Sequence, residues 1–259
     1  MVLTSEELQR FDRDGFLLLP QFADHKMCDT IKDIAIAHLK HKVPPIETES
    51  EYVSKSKEER KKISDASSHL QERVTVRRLR QVYHRDRVFK EWMENEEIRP
   101  ILKQILRENP TITIAHHNSI MTKMPNTSTQ TMWHQDFRYW HFENDNLVSI
   151  WLALDSEDSN NGVLEFIPGS HKMSFDISQF DDKEYFKEDI EPNISLINTK
   201  VSYSLKKGDV VLFHCKLLHR ANKNSTNEPK ISFVYTVKGA SNKALPNTRS
   251  TEFAEVELD

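Results

Sequence analysis

The sequence predicts a mainly β protein, an antiparallel barrel or jelly roll preceded by helices. Helical patterns predominate in the first 109 residues, and the texture changes after Asn109-Pro110. Beyond that point come short runs of alternating or continuously apolar residues. Turn-forming groups separate them: Asn160-Asn161-Gly162, Pro168-Gly169-Ser170 and Lys207-Gly208-Asp209. Helices followed by many short strands suit a β core carrying helical extensions. A length of 259 residues fits one domain with extensions. We divide it into a helical part (1–109), a β core (110–240) and a C-terminal tail (241–259).

Thr4-Ser5-Glu6-Glu7 has the form of a capping box and predicts a helix ending near Gly15. Phe16-Leu17-Leu18-Leu19 before Pro20 predicts a buried strand. Asp24 to His41 is helical, with Met27, Ile31, Ile34, Ile36 and Leu39 as its apolar positions, and Pro44-Pro45 ends it. Residues 46–72 are charged and weakly periodic, and the run Ser54 to Lys62 is expected to be a solvated helix or loop. Arg73, Arg77, Arg78, Arg80, Arg85 and Arg87 form a basic cluster, and Arg77, Arg78 and Arg80 are expected on a solvated face, with contact to an anionic ligand as the alternative. Val88 to Asn109 predicts one or two amphipathic helices around Phe89, Trp92, Ile98, Ile101 and Leu102. Strands are predicted at Thr111–Ala115, Leu147–Leu154, Gly162–Ile167, Val201–Leu205, Val210–His214 and Ile231–Val237.

Composition narrows the function. A formal charge of −4 lacks the basic footprint of a nucleic-acid binder. No apolar run is long enough to span a membrane, and the first residues lack a signal-peptide pattern. Cys28 and Cys215 are the only cysteines, so free thiols and a cytoplasmic location are expected.

His134-Gln135-Asp136 is the most informative stretch. On an extended backbone, residues two apart point to the same side. One more imidazole would make two His and one carboxylate, a donor set suited to non-haem Fe(II) with open coordination positions. His214 and His219 are the rivals for that place. His116 and His117 are adjacent, so on a strand only one can face a pocket.

The order Trp133-His134-Gln135-Asp136, then Asn161-Gly162-Val163-Leu164-Glu165-Phe166-Ile167-Pro168-Gly169-Ser170-His171, then Gly208 to His219, resembles the phytanoyl-CoA dioxygenase family of Fe(II)/2-oxoglutarate oxygenases. The resemblance runs from about Leu17 to Val237. It implies a double-stranded β-helix, a cupin-like jelly roll. It implies His134, Asp136 and His219 as iron ligands and catalytic centre, with 2-oxoglutarate and O2 as cosubstrates. The family pattern usually places an Arg eleven residues after the distal His, where this chain has Lys230. Many relatives carry Ser where Ala221 stands. Lys230 is therefore the expected anchor of the 2-oxoglutarate carboxylate, without the fork of arginine, and Arg249 is the next candidate. Asn118, Thr131 and Trp151 are further cosubstrate-pocket candidates. Arg138, Tyr139 and Trp140 are candidates for a small-molecule substrate site, because such pockets need aromatic walls and a few polar groups. His171 is expected to fix a loop.

The implied activity is hydroxylation of an unactivated C–H bond with release of succinate and CO2. Asp136 argues against halogenation, since halogenating relatives lack that carboxylate. Two other readings use the same residues: a non-catalytic binding protein, and an oxygen-independent Zn or Mn enzyme.

Overall fold

A computed structural model describes residues 1–53 and 74–258. The expected solvated segment Ser54 to Lys62, and Arg73, lie outside the described residues.

Helix α1 (Ser5–Asp14) begins with the capping box, Thr4 and Glu7 each bonding the other's backbone. Gly15 ends it in the left-handed conformation. A side chain there would strike the His171 ring, with a Cβ only 2.4 Å from Nδ1. Strand β1 (Phe16–Leu19) follows, then α2 (His25–Lys40), capped by the Asp24 carboxylate. The charged stretch after Pro45 forms β2 (Ile46–Thr48) and α3 (Glu49–Val53) where it is described. Two short amphipathic helices, α4 (Arg87–Met93) and α5 (Arg99–Leu106), complete the helical part.

The remaining elements are β3 (Val76–Arg80), β4 (Pro110–Ile112), β5 (Asn118–Lys123), β6 (Thr131–His134), β7 (Leu147–Ala153), β8 (Leu164–Phe166), α6 (Asn193–Ile197), β9 (Val201–Ser202), β10 (Val210–His214), β11 (His219–Ala221), β12 (Lys230–Gly239) and β13 (Val256–Glu257). Among the described residues they form two antiparallel sheets. The larger runs β1-β10-β7-β12-β5-β3-β2, with β4 and β13 joined beside β12. The smaller runs β6-β11-β8-β9. This is the jelly-roll architecture expected.

Three expectations need correcting. The strand expected at Thr111–Ala115 stops at Ile112. The chain then turns at Thr113–His116, held by a His116 N to Thr113 O bond, and begins β5. The turn lets β4 pair with Val237–Gly239 and β5 with Lys230–Tyr235 of the same strand, β12. The strand expected at Val201–Leu205 keeps only Val201–Ser202, with Leu205 in an isolated bridge to Glu157. Arg77, Arg78 and Arg80 are not a solvated face, although Arg87 is exposed. Arg77 is 2% exposed, and Arg77, Arg78 and Arg80 belong to strand β3.

Register divides the large sheet into two faces. Leu79, Ile120, Phe233, Ile150 and Leu212 lie on one face and join the main core with the helices. Met121, Val234, Trp151 and Phe213 lie on the other, toward the small sheet. The space between the sheets holds the site. Among the described residues no helix is long and apolar enough to cross a membrane.

Candidate metal centre

His134 ends β6 and His219 begins β11, and the two are direct register partners. Directly opposed side chains are neighbours, and the two imidazole centroids lie 4.2 Å apart. Gln135 is still extended, so Asp136 returns to the side of His134 before the chain turns over Asp136–Tyr139. One ligand atom from each of His134, Asp136 and His219 falls within 4.8 Å of the others, and all three residues are buried.

The proton positions follow from the hydrogen bonds. His134 Nδ1 lies 2.8 Å from Met132 O, and His219 Nδ1 lies 3.0 Å from Leu217 O. A backbone carbonyl can only accept, so both Nδ1 atoms carry the hydrogen. Each Nε2 then presents a bare lone pair. These face Asp136 Oδ1 at 3.6 and 3.8 Å, too far for hydrogen bonds. Burial, then the charge of His219, lowers the His134 pKa to about 3, and burial also lowers that of His219. The Asp136 carboxyl is held well below its usual range, because His117 and His219 outweigh the effect of its burial. Three electron-rich atoms with no proton between them suit a metal cation. Two neutral imidazoles and one carboxylate fit Fe(II).

Outer contacts set the carboxylate. His117 Nε2 lies 2.9 Å from Asp136 Oδ1, and Ser149 Oγ donates to Oδ2 at 3.3 Å. His116 turns the other way, onto Ser250 at 2.8 Å. The adjacent histidines do face apart. His214 also points away: its Nδ1 accepts from Lys216 N and its ring lies 5.2 Å from His171. The His171 Nε2 bonds Asp12 O at 3.1 Å and so ties its turn to α1.

A cavity opens beside the triad. Of the cosubstrate candidates, Lys230, Thr131 and Trp151 line it. Asn118 does not. It shares the outward face of β5 with Ile120, and its side chain bonds Tyr83 N and Ile114 O. Lys230 is already paired, with Nζ 3.0 Å from Glu157 Oε2. The Trp151 indole donates to the same carboxylate. Arg138 does not line the cavity. It donates to the carbonyls of Lys183 and Glu184 and lies over the rings of Tyr139 and Tyr185. Tyr139 is 45% exposed, while Trp140 is buried against His116 and His117. Arg249 stays exposed, outside the cavity.

The sequence reading missed His117, Lys123 and Glu157, and offered a ligand contact for Arg77 only as the alternative to a solvated face. His117 was weighed only as half of a pair. Arg77 and Lys123 line the cavity from β3 and the end of β5. Period-two alternation through Ser119, Met121 and Lys123 was the available signal for β5. Glu157 sits in Ser156-Glu157-Asp158-Ser159, which has the composition of a surface turn, yet it is 1% exposed.

The model of the phytanoyl-CoA dioxygenase family matches residues 11–232. The chain belongs to that family. Mouse peroxisomal phytanoyl-CoA dioxygenase is 31% identical over 153 residues, which is 52% of this chain but only 44% of the mouse protein. Ectoine dioxygenase of Streptomyces avermitilis is 23% identical over 94% of this chain and 81% of its own. Among solved structures, EctD from S. alaskensis with bound Fe has a TM-score of 0.75 at 19% identity. The match covers 99% of this chain and 87% of that one. EctD with 2-oxoglutarate and 5-hydroxyectoine has a TM-score of 0.74 at 20% identity, over 94% and 78% of the two chains. These family likenesses establish the double-stranded β-helix fold.

Two buried histidines, His116 and His134, and the half-buried His214 give this family member a defined acid response. Burial lowers His116 and His134 to about 3 and His214 to about 4, against 6.5 for an ordinary His. The unfolded chain therefore binds more protons between pH 4 and 6.5, and stability falls as pH drops through that window. Each group contributes up to about 1.4 kcal/mol per pH unit. The urea midpoint of the metal-free protein is expected to fall steadily from pH 6.5 to 4.5. A flat profile would show that these histidines are not held neutral by the fold.

Proposed function

We propose that this chain is an Fe(II)- and 2-oxoglutarate-dependent dioxygenase that hydroxylates an unactivated C–H bond of a small molecule. The convergence of three proton-free donors beside a cation-lined cavity carries the reading. His134, Asp136 and His219 would hold the iron. Bound iron with 2-oxoglutarate and O2 would supply the oxidising chemistry, with succinate and CO2 as coproducts. The chain's own residues hold and orient the reactants. Backbone carbonyls fix both imidazoles, while His117 and Ser149 fix the carboxylate. Phe166 and Phe213 pack around His219 and keep bulk water from that side.

The named activities of the mouse and bacterial relatives concern small molecules, which supports that substrate class here. A reducing compartment such as the cytoplasm suits Cys28 and Cys215, which are free and buried. Burial pushes the Cys28 thiol up to about 11, so it is not a reactive thiolate at neutral pH.

The test is anaerobic addition of Fe(II) and then 2-oxoglutarate. A metal-to-ligand charge-transfer band in the visible is expected, followed by succinate release on admitting O2. Iron bound without a band would sink the oxygenase reading and favour a Zn or Mn enzyme. A band without succinate would leave a binding protein.

A further inference from the structure

We propose that the distal carboxylate of 2-oxoglutarate is held by Lys123 rather than by Lys230. The proposal rests on the iron and 2-oxoglutarate reading and names the anchor within it. Lys123 and Lys230 are register partners on β5 and β12, and both line the cavity. Lys123 Nζ lies 3.3 Å from the carbonyl of Ala221 and 3.4 Å from the hydroxyl of Thr131. Ala221 is two residues from His219 along β11, or about 7 Å at the strand rise. That separation suits a five-carbon diacid that chelates metal with its 2-oxo acid end. Position therefore admits either lysine, and charge decides between them.

Glu157 already occupies Lys230. Its Oε2 is 3.0 Å from the ammonium, and Ser232 Oγ donates to Oε1 at 2.6 Å. The Trp151 indole reaches the two oxygens at 3.1 and 3.2 Å. A second carboxylate at this cradle would meet like charge. Arg77 is matched in the same way by Glu49 at 3.1 Å. Lys123 differs. Among the described residues its ammonium meets only neutral oxygens, the third being the Thr129 carbonyl at 2.5 Å. Burial, then the charges of Arg77 and Lys230, pulls its pKa down to about 6. Arg77 and Lys230 thus each hold a carboxylate, while Lys123 has none and carries its charge only in part at neutral pH. A buried unpaired cation is costly. The far carboxylate of the cosubstrate would supply the missing charge and restore full protonation of Lys123.

The test compares two 2-oxo acids on the anaerobic Fe(II) protein, with the charge-transfer band as readout. 2-Oxoglutarate carries the distal carboxylate, and 2-oxobutyrate lacks it. Lys123→Met is expected to weaken 2-oxoglutarate at least tenfold and to leave 2-oxobutyrate unchanged, which also shows that the variant folds. Lys123→Arg, which keeps a cation, is expected to recover much of the loss. The double variant Lys230→Met/Glu157→Gln removes the pair without stranding a charge, and is expected to hold 2-oxoglutarate within about threefold of the parent. Equal 2-oxoglutarate affinity in Lys123→Met and the parent would overturn the proposal. So would a tenfold loss confined to the double variant. No band with either acid in the parent would instead remove the iron reading, and the proposal with it.

Discussion

His219→Ala is expected to abolish tight Fe(II) binding and all iron-dependent 2-oxoglutarate turnover, while His214→Ala leaves both in place. Losing an outer partner of a metal ligand typically costs about 10–100-fold, so losing a ligand should exceed about 100-fold. The contrast follows from β-strand alternation. Phe213 faces the site, with its ring 5.0 Å from that of His219, so His214 on the same strand faces away. Its ring nitrogen is engaged by Lys216 N. Iron affinity from competition with a chromogenic chelator, and succinate release under O2, check both variants. His134→Ala and Asp136→Ala should behave like His219→Ala. Turnover that survives in His219→Ala and vanishes in His214→Ala would show that the ligand is the other histidine.

The same alternation explains what the sequence made legible. Apolar positions on the outward face of the large sheet, such as Ile150, Leu212 and Phe233, announce their strands because they pack under the helices. The inner face of the site end carries function and breaks the pattern. Strand β3, Val76-Arg77-Arg78-Leu79-Arg80, has three arginines in five residues and looks solvated, though Arg77 is buried with Glu49 and Arg78 pairs with Glu47. Strand β5, Asn118-Ser119-Ile120-Met121-Thr122-Lys123, sets its two apolar residues side by side among polar ones, so neither face reads as continuously apolar. His134 and Asp136 were legible because a two-residue spacing survives any strand register, whereas only the family resemblance separated His219 from His214. Glu157 was not legible, since nothing local separates a buried carboxylate from a turn residue. Its burial depends on Lys230, 73 positions away, and on Trp151 and Ser232.

That distant pairing changes the expected outcome at Lys230. A cation serving only as cosubstrate anchor would, when removed, raise the 2-oxoglutarate requirement and spare the fold. Here Lys230 is 4% exposed and Glu157 1% exposed. Lys230→Met would leave the carboxylate with a hydroxyl and an indole but no counter-charge. Breaking a buried pair from one side costs about 3–5 kcal/mol, whereas replacing both partners is often nearly neutral. Lys230→Met is therefore expected to lower the unfolding free energy of the metal-free protein by about that amount. Lys230→Met/Glu157→Gln should recover most of it. Urea denaturation without iron or cosubstrate measures the difference apart from any binding effect. If the single variant is as stable as the double, Glu157 does not depend on Lys230 for its charge. The ammonium would then be free for a ligand, and the case for Lys123 as the anchor would lose its main support.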